Sequence, residues 1–119
     1  FKTYWPFIHP TSCITIQKEV VDRLFTSIST KDFTDVWMDL RICIYAKYIL
    51  KRFDRVNENL TYYRRNENNI SSNFRKFSKN WWRRRSQAHE YFRFFCENND
   101  IKFKKNLDYL LTKLVCLFI

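Results

Sequence analysis

The stretch Asn73–Cys96 reads NFRKFSKNWWRRRSQAHEYFRFFC, and its periodicity decides the fold. At about 100° per residue, Phe74, Phe77, Trp81, Ala88, Phe92 and Phe95 fall on one side, and Arg75, Lys76, Lys79 and Arg83 on the other. This spacing predicts a helix whose aromatic face is buried and whose basic face meets solvent. The tandem tryptophans are split by the same geometry. Trp81 sits in the middle of the stripe as a core residue, and Trp82 turns toward the charges as a border or contact residue.

A chain of 119 residues, 45% apolar and 19% aromatic, can bury one core but hardly two, so a single domain is expected. Gly is absent and Pro occurs only at Pro6 and Pro10, which removes the residues that tight hairpins and phosphate-cradling loops normally need. The expectation is an all-α fold, a small helical bundle of three to four helices with an extended N-terminal lead-in. Codon bias in an AT-rich genome produces the same abundance of Phe, Tyr, Lys and Asn without any functional cause.

Residues 1–15 carry both prolines and no helical period, so they form the lead-in, with Tyr4, Trp5, Phe7 and Ile8 available to pack over the bundle. The helical domain then spans residues 16–119. Ile16, Val20, Leu24 and Ile28, flanked by Val21 and Phe25, predict a first helix. Ser29-Thr30-Lys31-Asp32 has the pattern of a capping box, so a second helix is expected from about Thr30. It carries Phe33, Val36, Trp37, Leu40, Ile44 and Tyr48, and its apolar face drifts on through Phe53, Val56, Leu60 and Tyr63. Arg64–Ser72 is polar and aperiodic, as a loop would be. After the opening stretch, Glu97-Asn98-Asn99-Asp100 breaks the pattern and supplies potential caps for the helix that follows. Leu107, Leu110, Leu111, Leu114, Val115 and Phe118 predict a last, buried helix that starts between Phe103 and Asn106. The expected core includes Trp37, Leu40, Tyr48, Phe77, Trp81 and Phe92. The missing initiator Met and the apolar end at Ile119 are read as marks of an excised or C-terminally truncated domain.

Chemistry-bearing patterns are sparse. Cys13, Cys43, Cys96 and Cys116 have no CxxC spacing, and reduced, buried thiols are expected at Cys43 and Cys96. His9 and His89 lie far apart, and only Glu90 accompanies His89, so neither a metal site nor a cofactor is expected. The sequons at Asn59 and Asn69 are ordinary in an Asn-rich chain. No catalytic signature is present, and the expectation is that the protein is not an enzyme.

Charge carries the sharper signal. Lys and Arg number 22 against 12 Asp and Glu, a net charge of +10. Between Arg64 and Arg85 lie Arg64, Arg65, Arg75, Lys76, Lys79, Arg83, Arg84 and Arg85, with Glu67 as the one acid. A solvated basic face accounts for such a cluster, and so does a binding face. Guanidinium groups beside an indole can pair with carboxylates while the ring supplies contact area. The residues assigned to partner binding are Arg75, Lys76, Lys79, Trp82, Arg83 and Arg84. An acidic protein segment fits with the least rearrangement. Nucleic acid would use the same cations, but the aromatics suited to base stacking lie on the expected buried side. No stretch is long enough to span a membrane, which leaves peripheral association with an anionic leaflet as the membrane alternative.

Several of these residues resemble a known family. The run Ser29-Thr30-Lys31-Asp32-Phe33, followed by Trp37, Leu40 and Lys47-Tyr48, resembles the Plasmodium helical interspersed subtelomeric (PHIST) domain, also called the RESA-like N-terminal domain. Lys79-x-Trp81-Trp82 and Glu90-Tyr91-Phe92 continue the resemblance, which covers about Ile16 to Phe118. The step before Lys47-Tyr48 departs from the family pattern, since Ile44-Tyr45 stands where a polar pair is usual, and no R-x-L-x-[EQD] export pentamer is visible. The resemblance implies a parasite protein exported to the host erythrocyte, at its cytoplasm or membrane skeleton. There it would act as an adaptor for an adhesin cytoplasmic tail or a membrane-skeleton protein.

Overall fold

A computed structural model describes residues 5–8, 10–27, 32–58, 62 and 73–119. The protein is all-α, with four α-helices and no strand among those residues. They divide into two compact units, one drawn from Tyr4–Arg64 and the other from Arg65–Ile119. Tyr4, His9, Ile28, the Ser29-Thr30-Lys31 part of the capping box, Leu60, Tyr63, both sequons, and the Arg64–Ser72 loop with Arg64 and Arg65 lie outside the described residues.

In the N-terminal unit the described part of the lead-in, residues 5–8 and 10–15, has no regular structure apart from one turn of 3₁₀ helix at Thr11–Cys13, where the Cys13 amide bonds the Pro10 carbonyl at 2.8 Å. Trp5 and Ile8 are half-buried and Phe7 is exposed. The Trp5 carbonyl accepts from Lys47 Nζ at 3.3 Å, which ties the lead-in to the helical part of the unit. Helix α1 spans Lys18–Ser27, with Glu19 near its positive end and Leu24 fully buried. Phe25 is exposed.

Helix α2 spans Met38–Tyr45 and continues as a π turn at Ala46–Leu50. It is shorter at both ends than the apolar pattern predicts. Phe33 has a φ of 60°, and residues 32–37 form turns rather than helix, so Phe33 and Val36 precede α2 and the helix does not start near Thr30. The buried Arg41 side chain explains why the turn holds. Its Nε donates to the Val36 carbonyl at 3.3 Å, and Nη2 donates to the carbonyls of Asp32 and Phe33, each at 2.9 Å. These are charge-assisted bonds to groups that a helix would otherwise have claimed. At the other end Lys51, with φ 53°, closes the helical run, and Phe53 and Val56 are exposed on irregular chain. The expected long, drifting helix is therefore corrected to a short one. Its core is Leu40, Cys43, Ile44, Tyr45 and Ala46, with Val36 and Leu24.

The C-terminal unit is a helical hairpin of α3, Lys79–Asn98, and α4, Leu107–Cys116. Helix α3 ends in a Schellman arrangement. Asp100 takes the left-handed position with φ 54°, and the Ile101 amide reaches back to the Cys96 carbonyl at 2.9 Å. The Asn99 side chain adds a bond to the Phe95 carbonyl at 2.8 Å. The Glu97-Asn98-Asn99-Asp100 run thus closes the end of α3 and does not cap the next helix as expected; α4 is capped by Asn106, whose Oδ1 accepts from the Tyr109 amide at 2.9 Å. Phe103 in the connection stacks between Phe92 and Tyr109, with centroids at 5.9 and 5.5 Å.

The expected core is partly corrected. Leu40 and Phe92 are buried, but Trp37, Tyr48 and Trp81 are only half-buried, and Phe77 is 64% exposed. Trp37 stands at the N-cap of α2 and Tyr48 in the π turn, so neither occupies the regular helical position that the stripe assumed. The last helix is also reversed. Leu107, Leu110, Leu111 and Leu114 are exposed, and Tyr109 and Thr112 are the buried residues of α4.

Candidate protein-binding surface

The basic cluster is built around the start of α3. Ser78 is the N-cap, and its hydroxyl oxygen accepts from the Trp81 amide at 3.2 Å. The Ser78 amide closes a turn onto the Arg75 carbonyl at 2.9 Å. Immediately before the cap, Phe77 adopts φ 66°, a conformation that costs a side chain with a Cβ roughly 1–2 kcal/mol. This corrects the expectation of a helix running from Asn73. Phe74 and Phe77 lie ahead of the helix, so the stripe that placed them in the core does not exist there. Ser78, a good N-cap residue three positions before Trp81, is the signal that could have located the boundary.

The consequence is an exposed aromatic among cations. Phe77 meets Trp81 edge-on at 5.4 Å and Trp82 at 6.2 Å, and the two indoles meet at 4.7 Å. Lys76 Nζ lies 5.1 Å from the Phe77 centroid, and the Arg84 guanidinium 4.2 Å from that of Phe74. Arg75, Lys76, Lys79 and Arg83 are exposed, whereas Arg84 and Trp82 are half-buried. No acid occurs in the first turn of α3, and none occurs in the sequence from Asn73 to His89. Lys79 and Arg83 therefore sit at the positive end of the helix macrodipole, the less favourable end for a cation. A bound carboxylate would relieve that field.

Arg85 belongs to a different arrangement. Its guanidinium pairs with Asp108 of α4, Nε donating to Oδ1 at 3.0 Å, and lies 5.0 Å from the Trp81 ring. The same carboxylate approaches the buried His89, Oδ2 to Nε2 at 3.5 Å, and His89 Nε2 lies 3.4 Å from Thr112 Oγ1. Burial pushes the imidazole down to about 4. The Asp108 carboxylate opposes that shift, and Arg85 and Lys113 reinforce it. Beyond it, Glu90 pairs with Lys113 and with Arg93, the latter at 2.7 Å. These charges hold the hairpin together. The two pairs between the helices, Arg85–Asp108 and Glu90–Lys113, were not foreseen, because their partners stand 23 positions apart and nothing local joins them.

The four cysteines form no disulfide, with Cys43 and Cys96 buried, Cys116 half-buried and Cys13 exposed. Among the described residues, no three His, Cys, Asp or Glu side chains gather into a potential metal site, and no helix is long and apolar enough to cross a membrane. No known family, curated protein or solved structure matches this chain.

Proposed function

We propose that this chain is a non-enzymatic adaptor module that binds an acidic protein segment through the surface at the start of α3. The observation that carries this reading is the exposed Phe77, held at positive φ beside Trp81 and Trp82 with Lys76 over its ring, in a stretch where Arg75 and Lys79 are also exposed and the first helical turn has no acid. Strained backbone that presents an apolar ring to solvent gains nothing for the core, and it supplies the aromatic anchor that a binding face uses. Arg83 and Arg84 extend the cationic rim, and Trp82 lines its border. On the PHIST resemblance, the module would belong to an exported protein that remodels the infected red cell, with an adhesin tail or a membrane-skeleton protein as partner.

Fluorescence anisotropy with a Glu- and Asp-rich peptide tests this directly. Replacing Arg75, Lys79 and Arg83 together by Glu should abolish binding without lowering the melting temperature, because all three are exposed and acids suit the positive end of α3. A single-stranded oligonucleotide is titrated in parallel across salt concentrations. Tight oligonucleotide binding with a steep salt slope and no peptide binding would reject the proposal in favour of nucleic acid.

A further inference from the structure

Helix α4 has its polarity reversed. Its polar side chains are turned onto α3: Asp108 to Arg85, Thr112 to His89, Lys113 to Glu90, and the Cys116 thiol to the Trp82 carbonyl at 3.6 Å. These bonds fix the rotation of the helix. Leu107, Leu110, Leu111 and Leu114 consequently project away from α3, each between 50% and 65% exposed, and Leu117 and Phe118 beyond the helix are more exposed still. At about 100° per residue the four leucines form one stripe, the i, i+3, i+4, i+7 pattern that normally faces a core.

We propose that this leucine stripe docks on an anionic lipid surface. The helix would lie in the plane of the interface, and Lys102, Lys104 and Lys105 would contact the headgroups. Charge complementarity selects this occupant. The three lysines are exposed in the segment just before α4, where Ile101, Phe103 and Asn106 are half-buried, and Asp108, the one acid between Ile101 and Ile119, already faces Arg85. A second copy would bring the same lysines and another net charge of +10 to the contact. Size points the same way. A helix of ten residues is about 15 Å long, a strip far smaller than the roughly 800 Å² per partner of a stable protein interface. Interfacial helices of this length bind lipid because leucine burial and headgroup attraction add. This surface is separate from the basic cluster before α3 and rests on different residues.

The test is co-sedimentation of the 119-residue chain with vesicles of phosphatidylcholine alone, and of phosphatidylcholine with a third of the lipid replaced by phosphatidylserine. The protein should sediment with the mixed vesicles and stay in solution with the neutral ones. Leu110→Gln with Leu114→Gln keeps charge and helix propensity and should weaken binding by at least roughly tenfold at an unchanged melting temperature. Lys102→Gln, Lys104→Gln and Lys105→Gln together should weaken it by a comparable, salt-dependent factor. Equal binding by the leucine variant would overturn the proposal, as would no binding to mixed vesicles. A dimer in sedimentation equilibrium without lipid, lost in the leucine variant, would assign the stripe to a second copy instead.

Discussion

His89 Nε2 of α3 lies 3.4 Å from Thr112 Oγ1 of α4, a polar contact made by an imidazole with no exposed surface. Helix α4, which shows water its leucines, is joined to α3 through a neutral histidine, a threonine and the carboxylate between them. The hairpin therefore depends on His89 staying uncharged.

That dependence has a defined sign. The folded imidazole titrates near 4 and the unfolded one near 6.5, so on acidification the unfolded chain takes up the proton first. Stability present above pH 6.5 should fall progressively toward pH 4 and level off below it. Thermal melts of the wild type and of His89→Gln across this window check the point. The variant should lose most of the pH slope that the wild type shows between 6.5 and 4.

The chain contains no Gly, yet Phe33, Lys51, Phe77 and Asp100 all take positive φ, each beside a helix or a turn leading to one. Asp100→Gly should raise stability by about 1 kcal/mol, since Gly is the preferred residue in a Schellman cap. Phe77→Gly should be close to neutral, with relief of roughly 1–2 kcal/mol of strain offsetting aromatic contacts of about 0.5–1.5 kcal/mol each. By contrast, Leu40→Ala and Phe95→Ala, both at buried sites, should cost about 2–5 kcal/mol. Urea denaturation of the four variants distinguishes these outcomes.

Thiol accessibility gives an independent check on burial. Cys13 should react with a thiol reagent first and Cys116 more slowly, while Cys43 and Cys96 should be labelled only after unfolding. Burial, with a smaller contribution from Glu97, raises the Cys96 thiol from 9.0 to about 11. Its share of stability is full below pH 9 and is lost as pH rises from 9 to 11, because the unfolded thiol ionises first. Mass spectrometry of labelled peptides at pH 7 and in urea reads the order.

The sequence pattern located four helical regions because apolar spacing is a local property. It placed the start of α4 next to Asn106 and the burial of Leu40 and Phe92 on the correct side. It failed where a side-chain bond overrides apolar spacing. Phe33 and Val36 fit the stripe of α2 by spacing, but Arg41 holds their carbonyls in a turn. Phe77 fits the stripe of α3 by spacing, but the helix begins only after the Ser78 cap. The orientation of α4 was the largest miss. Hydropathy assigns leucine to the interior, and only the pairing of Asp108 with Arg85 and of Lys113 with Glu90 turns the helix the other way. For the basic cluster, composition indicated the cations but gave no sign that an aromatic ring would stand out among them.

The inverted α4 also sets how this segment tolerates change. Saturation mutagenesis should yield a profile opposite to that of an ordinary amphipathic helix: polar replacements at Leu107, Leu110, Leu111 and Leu114 leave expression and solubility intact or improve them. Apolar replacements at Asp108 or Thr112 are the damaging ones. An engineer who read hydrophobicity alone would protect positions that folding does not need and alter the pair that it does.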